Sequence, residues 1–244
     1  MTECLVQANE VARVGAAESG VLSKLLVERS NRVNKGQVMA ELEASEEDSQ
    51  VELARLRVSS DIAVRLAQRK AETAELNARR LTILVERKLV PDAEQEAAIL
   101  AAQSARLEEE EAIYQMKIAE VQLKAALAAR ERKRVRAPFD GVVTDTLMSV
   151  GELYNEQAPI IVLAQIDPLH VEAYLPAARR AELEIGQTAE ITLETGGAIT
   201  GVIKVIDPVL DAATGTFGLQ LDVANPDGTI LAGQSCSLRF AQTN

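Results

Sequence analysis

The sequence predicts a mixed α and β protein, in which a split β-sandwich is interrupted by a long antiparallel α-helical hairpin and followed by a small β-barrel. Three observations support this prediction: a long tract without helix breakers, a β segment that is repeated on both sides of this tract, and alternating strand and turn signals near the end. The predicted domains are residues 14–43 plus 134–166 for the sandwich, 45–132 for the hairpin, and 1–13 plus 167–244 for the barrel.

The tract 45–132 contains no glycine, and Pro91 is its single proline. It is dominated by Ala, Leu, Glu, Arg, Lys and Gln, which are the strongest helix formers. Average helices run to about 11–12 residues, so an uninterrupted tract of this length is typical of a coiled coil. Because Pro91 disfavours helical geometry at Val90 and can begin a new helix, we expect two antiparallel helices with the turn near residues 88–91.

Apolar residues in both predicted helices recur at heptad spacing, which indicates a coiled-coil seam. In the first helix the predicted seam residues are Leu53, Leu56, Ser60, Ala63, Ala67, Lys70, Ala74, Asn77, Leu81 and Leu84. In the second helix they are Leu100, Leu107, Tyr114, Val121 and Ala128, with Ile113, Met116, Leu123 and Leu127 beside them. A seam with this many small and polar residues buries little apolar surface, so we expect the hairpin to gain further stability from partner helices.

The β segments before and after the helical tract repeat each other at the constant offset that relates Gly20 to Gly141. The same offset relates Leu42 to Leu163 and places the polar turn at Ser30 on Gly151. Each half is too small to bury a core alone. Internal repetition of this kind therefore predicts that the two halves close on each other as one sandwich.

The residues after Ile166-Asp167-Pro168 alternate between β-rich runs and turn signals such as Thr195-Gly196-Gly197 and Asn225-Pro226-Asp227-Gly228. Short strands at this spacing predict a compact barrel.

Composition and motifs exclude several classes of function. A net charge of −11 argues against a nucleic-acid partner, which would require a basic patch. No run of eighteen apolar residues is present, so no membrane span is predicted. His170 is the only histidine and has no Cys near it in the sequence, and no phosphate-binding loop or nucleophile motif occurs. We therefore predict no catalytic site, no cofactor and no metal.

Several segments carry a family resemblance. They are Gly20-Val21-Leu22 with residues 33–42, then residues 135–143, and then Ile206-Asp207-Pro208 through Thr214-Gly215-Thr216 with Leu231-Ala232-Gly233-Gln234. Together with the order of the domains, they resemble the periplasmic adaptor subunits, or membrane fusion proteins, of tripartite efflux and type I secretion systems. The resemblance implies that the sandwich is of the lipoyl/biotinyl type and that the helices form a coiled coil.

The resemblance also implies a non-catalytic function. A periplasmic adaptor of this family links an inner-membrane transporter to an outer-membrane channel for export of small molecules, and it assembles with itself as a ring. The implied location is the periplasm, attached to the inner membrane, although the sequence shows neither an anchor nor an export signal.

The hairpin tip is the candidate partner-binding site, because its residues mix cations with apolar side chains. The candidates are Arg80, Leu84, Arg87, Lys88, Leu89 and Val90. Efflux adaptors of the family often carry Arg at the tip, Leu four residues on and Ser seven further. Arg80 and Leu84 fit this pattern, but Pro91 occupies the serine position. An ordinary interhelical turn is the simpler interpretation of the same residues.

The sequence is compatible with two functions besides that of an adaptor. The first is a lipoyl/biotinyl-type carrier or an assembly subunit of an enzyme complex, with Lys133 as the modified lysine. A solvated charge at a helix end is the simpler interpretation of Lys133, because cations suit a helix C-terminus. The second function is that of a cytoplasmic coiled-coil scaffold.

The two cysteines, Cys4 and Cys236, lie near opposite ends of the chain. They could form a disulfide in an oxidising periplasm, or be two separate small buried residues.

Overall fold

The computed structural model describes residues 2–155 and 157–240; Met1, Glu156 and residues 241–244, some of which belong to the predicted barrel domain, lie outside the described residues. The chain divides into two compact units, Met1–Glu43 with Arg134–Asn244 and Ala44–Lys133. The described part of the first unit is built from β-strands and one short 3-10 helix, and the second from α-helices. The protein is therefore mixed α and β, with a long helical hairpin and β domains, as predicted at that level.

The β unit contains twelve strands among its described residues. They are β1 Thr2–Val14, β2 Gly20–Leu25, β3 Arg32–Val33, β4 Val38–Leu42, β5 Arg134–Arg136, β6 Gly141–Thr146, β7 Leu153–Tyr154, β8 Ile161–Pro176, β9 Thr188–Leu193, β10 Ala198–Asp211, β11 Thr216–Val223 and β12 Ser235–Phe240; the 3-10 helix is Ala177–Glu182.

Six of these strands form a closed antiparallel barrel in the order β1-β12-β9-β10-β11-β8, since β8 pairs with β1 again. Side chains that alternate along each strand fill its core; among them are Val6, Leu169, Ile191, Leu221 and Leu238. The seam between β1 and β12 pairs Thr2–Leu5 with Ser235–Leu238. Cys4 and Cys236 face each other in this seam, and their sulfur atoms are bonded.

A second core lies between two small sheets. One contains the ends of β1 and β8 with β6 and β3, and the other has the order β5-β4-β2-β7. The strands related by the internal repeat are β2 and β6, β3 and β7, and β4 and the first part of β8. Each half contributes its short strand to the sheet of the other half, because β3 pairs with β6 and β7 pairs with β2. Buried residues of both halves, including Leu22, Met39, Val143 and Leu163, therefore share one core.

Two strands are longer than the sequence predicts. We expected domain boundaries after residue 13 and after residue 166, but β1 and β8 each continue through these positions. Their ladder shifts register between Ala8 and Glu10, opposite the Pro168 region. A proline is tolerated at such a bulge because no ladder hydrogen bond is required of its nitrogen. The sandwich and the barrel are consequently joined by two shared strands.

The helical unit contains three helices: α1 Ser45–Ser59, α2 Ile62–Glu86 and α3 Asp92–Arg132. The prediction of two helices is thus wrong for the first arm, which breaks at Ser60, a residue with extended backbone (φ −95°, ψ 99°). The second arm is one helix of 41 residues, about 60 Å long at 1.5 Å per residue.

The break separates two helices whose inward-facing positions are out of phase. In α1, Val51 and Val58 are seven residues apart and shielded from solvent, and in α2, Val64 and Ala71 are seven apart. Between Val58 and Val64 the spacing is six, so one continuous helix would rotate one of these stripes out of the interface by roughly 100°. The extended residue at the break corrects this phase difference.

Candidate interaction site at the hairpin tip

Alanine forms the interface between α2 and α3. The side chains buried in it are Ala71 and Ala78 of α2 and Ala98 and Ala105 of α3. Such small residues let two backbones approach closely but bury little area. Polar contacts beside this alanine seam hold the two helices in register: Arg106 Nη1 lies 3.0 Å from Glu75 Oε1, and Lys70 Nζ pairs with Glu108.

The heptad seam predicted for the second arm is wrong. Leu100, Leu107, Tyr114 and Val121 are 65–68 % exposed, and Ala128 is exposed as well. The stripe of shielded residues is instead Ala98, Ala105, Ala112, Ala119 and Ala126, two positions earlier in each heptad. Alanine packs at the interface because it allows close approach, and the larger residues are left outside. In the first arm Ala67, Ala74 and Leu81 do face inward, while Lys70 and Asn77 are exposed.

Both long helices consequently carry an apolar stripe on the face opposite the alanine seam. On α3 it consists of Leu100, Leu107, Tyr114 and Val121, and on α2 of Ile62, Leu66, Leu76 and Ile83, which are 50–70 % exposed. We call these residues the outer stripes. Within the described helical unit, no element covers them.

At the tip, α2 ends in a two-bond cap. The Leu89 N–H donates to Leu84 O at 2.9 Å, and the Lys88 N–H donates to Val85 O at 2.8 Å. This is the Schellman arrangement, in which the residue that donates the second of these two hydrogen bonds takes left-handed backbone. Lys88 is that residue, with φ 57°. Leu84 and Leu89 stand at the two positions that usually share an apolar contact in this motif.

The structure brings five of the six predicted tip residues together in residues 84–90, and Arg80 lies one helical turn before Leu84. Arg80, Arg87, Lys88 and Leu89 are exposed, whereas Leu84 and Val90 are half-buried. α3 then begins at Asp92, directly after Pro91. Leu84 therefore anchors the turn, and the cations and Leu89 are presented to solvent.

Sequence reasoning missed a polar contact just below the tip. The Gln95 side-chain amide donates to Thr82 Oγ1 at 3.1 Å, and the Thr82 hydroxyl donates to Ala78 O at 2.9 Å. This contact joins the two arms where the alanine seam ends. The sequence signal for this contact was a polar residue, Thr82 or Gln95, at an inward-facing position of each helix. The predicted heptad seam did not include these positions.

Charge is distributed unequally between the two arms near the tip. Residues 69–88 contain six Lys or Arg and three Asp or Glu, a net charge of +3. Residues 92–111 contain one Arg and seven Asp or Glu, a net charge of −6. The two sides of the hairpin therefore attract opposite kinds of surface.

The remaining candidate groups are engaged within the chain. Lys133 Nζ lies 3.4 Å from Glu47 Oε1, and both side chains are largely buried. His170 contacts Gln220 through Nδ1, and its Nε2 lies 3.2 Å from Asp222 Oδ1. Across the described ranges 2–155 and 157–240, no group of three His, Cys, Asp or Glu side chains is arranged to hold a metal ion. No described helix has both the length and the apolarity needed to span a membrane.

Comparison with known proteins agrees with this architecture. The CusB-like β-barrel domain family matches residues 168–244. The macrolide export protein MacA of Yersinia pestis is 28 % identical to this chain, in an alignment that covers 88 % of this chain. The cobalt-zinc-cadmium resistance protein CzcB of Cupriavidus metallidurans is 24 % identical, and its alignment covers 89 % of this chain. It superimposes on the crystal structure of MacA from Actinobacillus actinomycetemcomitans with a TM-score of 0.78 at 19 % identity, covering 97 % of this chain and 76 % of that one.

The resemblance to the membrane fusion proteins is confirmed. The chain spans 60 % of the length of MacA from Yersinia pestis and 40 % of that of CzcB, so it corresponds to part of these relatives.

Proposed function

We propose that this chain is a non-catalytic periplasmic adaptor, which links an inner-membrane transporter to an outer-membrane channel for the export of small molecules. The observation that carries this proposal is the helical unit. Its seam is complete without a partner, yet its tip presents Arg87, Lys88 and Leu89 to solvent, and its outer stripes are uncovered. Binding surfaces on a rigid scaffold are the features that a linking protein requires.

The relatives support the same function. They are described as a macrolide export protein and a cobalt-zinc-cadmium resistance protein. The first name states export of a small molecule and the second states resistance to metal ions, so we infer export as the activity in which this chain takes part. The energy for transport would come from the transporter.

The outer stripes support assembly of several copies as a ring. Across the seam, Thr82 contacts Gln95 and Lys70 pairs with Glu108. Counting along the two antiparallel helices from these contacts places Leu76 about level with Leu100 and Ile62 about level with Tyr114. If neighbouring copies stand side by side, the α2 stripe of one meets the α3 stripe of the next at matching heights. The same contact brings the net positive arm against the net negative arm. Because the two stripes lie on opposite faces, the contact is heterologous, and a heterologous contact generates a ring when the rotation between neighbours closes.

The exchange of short strands between the two repeat halves supports a lipoyl-like sandwich, and the heptad spacing of the alanine seam supports a coiled coil. The function of a carrier subunit is not supported. Its proposed lysine, Lys133, is held in an ion pair with Glu47, and the named relatives are export and resistance proteins. The Cys4–Cys236 disulfide favours an oxidising compartment such as the periplasm over the cytoplasm.

The tip is tested by joint substitution of Arg87→Glu and Leu89→Asp, which are both exposed, in the full-length gene. We expect loss of export in cells, while the circular dichroism spectrum of the purified chain stays the same. The matched control is Arg55→Glu with Leu56→Asp, which makes the same chemical changes on exposed residues of α1, outside the tip and the outer stripes. Unchanged export in the tip variant would reject the tip as the partner-binding site.

The ring is tested by cysteine cross-linking of Leu76→Cys with Leu100→Cys. The described residues contain no free cysteine, so the introduced pair reports alone. These two residues lie on opposite sides of one hairpin, so oxidation can join them only between copies. We expect a ladder of linked chains that stops at one closed size. The control pair, Leu76→Cys with Ser104→Cys, moves the second cysteine off the α3 stripe, and equal ladders from both pairs would contradict the proposed contact.

A further inference from the structure

The tip contains a lysine at a position where glycine is preferred. Residues with left-handed backbone are glycine almost throughout the described chain: Gly36, Gly151, Gly186, Gly196, Gly197, Gly215, Gly228 and Gly233 all have φ between 68° and 99°. The exceptions among described residues are Ser30, with φ 72°, and Lys88, with φ 57°. A residue with a Cβ atom is disfavoured in this conformation, and a long side chain has no local hydrogen bond to offset the cost.

Nothing in the described helical unit compensates for this choice. The Lys88 side chain is exposed, and it makes no ion pair or hydrogen bond with any described residue. A cation is attracted to the C-terminus of α2, which would be one form of compensation. However, Arg87 already supplies a charge there, and the positive end of the α3 dipole begins at Asp92, beside the same turn. A glycine would make the same two cap bonds, because they involve only backbone atoms.

We propose that Lys88 is a specificity-determining residue of the tip, which pairs its ammonium group with a carboxylate on the docking end of the outer-membrane channel. This inference rests on the proposed adaptor function and names the chemistry of its partner. Backbone strain that is not offset inside a protein is commonly kept at binding sites. The cost at Lys88 is then offset only in the complex.

The surroundings of Lys88 define what this partner surface must offer. Arg87 precedes it and is exposed, while Leu89 follows it and is 64 % exposed. Two adjacent cations next to one apolar side chain fit a surface that has an apolar depression with acidic groups at its rim. A lysine ammonium acts as a point charge, so the contact should depend on salt more than on the geometry of a particular acceptor.

The experiment compares Lys88→Gly, Lys88→Arg and Ser30→Gly in the full chain. The probe is the outer-membrane channel of the source bacterium, purified in detergent and titrated against the immobilised adaptor. We expect Lys88→Gly to raise the melting temperature by about 2–4 °C and to weaken channel binding at least fivefold at low salt. Lys88→Arg should bind within twofold of the parent chain. Ser30→Gly relieves the same kind of backbone in the sandwich, so it should raise the melting temperature without changing binding.

Two results would overturn the inference alone. One is parent-like channel binding by Lys88→Gly while Leu89→Asp, a change of an exposed neighbour, abolishes binding; the tip would then be used without Lys88. The other is a lower melting temperature for Lys88→Gly, because Lys88 would then be retained for the stability of the turn. If the parent chain does not bind the channel at all, the adaptor proposal fails and the inference fails with it.

Discussion

Asn225 and Ile230 are hydrogen-bonded to each other in both directions across one loop of the barrel. Asn225 Oδ1 accepts from the Ile230 N–H at 3.0 Å, and Asn225 Nδ2 donates to Ile230 O at 3.1 Å and to Ile166 O at 3.0 Å. Asn225 is the buried polar residue among the described positions. Its side chain therefore replaces the backbone partners that the loop before β12 lacks.

We expect Asn225→Ala to lower the free energy of unfolding by about 2–3 kcal/mol, because it leaves buried backbone groups without partners. Asn225→Asp should cost at least as much, since a carboxylate would face two carbonyl oxygens. Thermal unfolding followed by circular dichroism measures both. The control is Asp227→Ala, which removes an exposed side chain of the same loop and should stay within about 0.5 kcal/mol of the parent. If Asn225→Ala also changed the free energy of unfolding by no more than about 0.5 kcal/mol, this side chain would not have the role assigned to it.

The Cys4–Cys236 disulfide should contribute about 2–4 kcal/mol of stability, because it closes a loop of nearly the whole chain. It lies in the seam between β1 and β12, which is the shortest ladder of the barrel among the described residues. The double variant Cys4→Ser, Cys236→Ser should have a lower melting temperature than the parent chain, and dithiothreitol should not change that temperature further. The parent chain should fall to the same temperature on reduction. A parent chain whose melting temperature is the same with and without reductant would speak against this contribution.

The alanine seam predicts opposite outcomes for two residues that are only two positions apart. Ala105→Glu places a carboxylate in the interface between α2 and α3 and should destabilise the hairpin by about 2 kcal/mol or more. Leu107→Glu changes an exposed residue of the outer stripe and should leave the stability of the single chain within about 0.5 kcal/mol. Helicity at 222 nm during thermal unfolding distinguishes them. Equal losses from both substitutions would mean that the seam has been assigned to the wrong face.

Insertion of one alanine between Ser60 and Asp61 should convert α1 and α2 into one continuous helix. It changes the spacing of Val58 and Val64 from six to the seven residues found on either side. The length of the arm is nearly preserved, since one extended residue advances about 3.3 Å and two helical residues about 3.0 Å. Helical content should therefore rise, with equal or higher stability. The control is the same insertion between Ala101 and Ala102 of α3. It should lower both the helical content and the stability, because it rotates the alanine seam of α3 out of the interface. A loss of helix in the first variant would show that the break has another cause.

Gly141 should tolerate alanine far less than Gly218 does. A Cβ atom on Gly141 would lie 2.5 Å from Ala164 O, a backbone atom of a paired strand that cannot move alone. On Gly218 it would meet only the carboxylate of Asp207, which can rotate away. We expect a loss of about 1–3 kcal/mol for Gly141→Ala and less than about 1 kcal/mol for Gly218→Ala, measured by urea unfolding. The reverse order would be inconsistent with this packing.

The sequence was sufficient to predict features that depend on local signals, such as helix breakers. It was not sufficient to predict which face of a helix is buried, because packing between the helices determines that. The absence of breakers in residues 45–132 and the proline at Pro91 were sufficient to predict the helical hairpin and its turn. The seam could not be chosen from spacing, because the alanines and the larger residues of α3 share one period of seven and differ only in phase. Hydrophobicity favours Leu107 for the interface, but close approach of two backbones favours Ala105. Left-handed backbone at Lys88 was equally unpredictable, since lysine carries no turn signal.

The two strands shared by sandwich and barrel have a consequence for how the chain acquires its structure. β1 is synthesised before both of its partners, β8 and β12, which lie at Ile161–Pro176 and Ser235–Phe240. The helices, whose contacts are closer in sequence, can form while β1 is still unpaired. During synthesis β1 must therefore remain solvated until β8, and then β12, has been made. In a protein that is translocated across a membrane in an unfolded state, this late pairing of β1 would help to keep the chain unfolded until translocation.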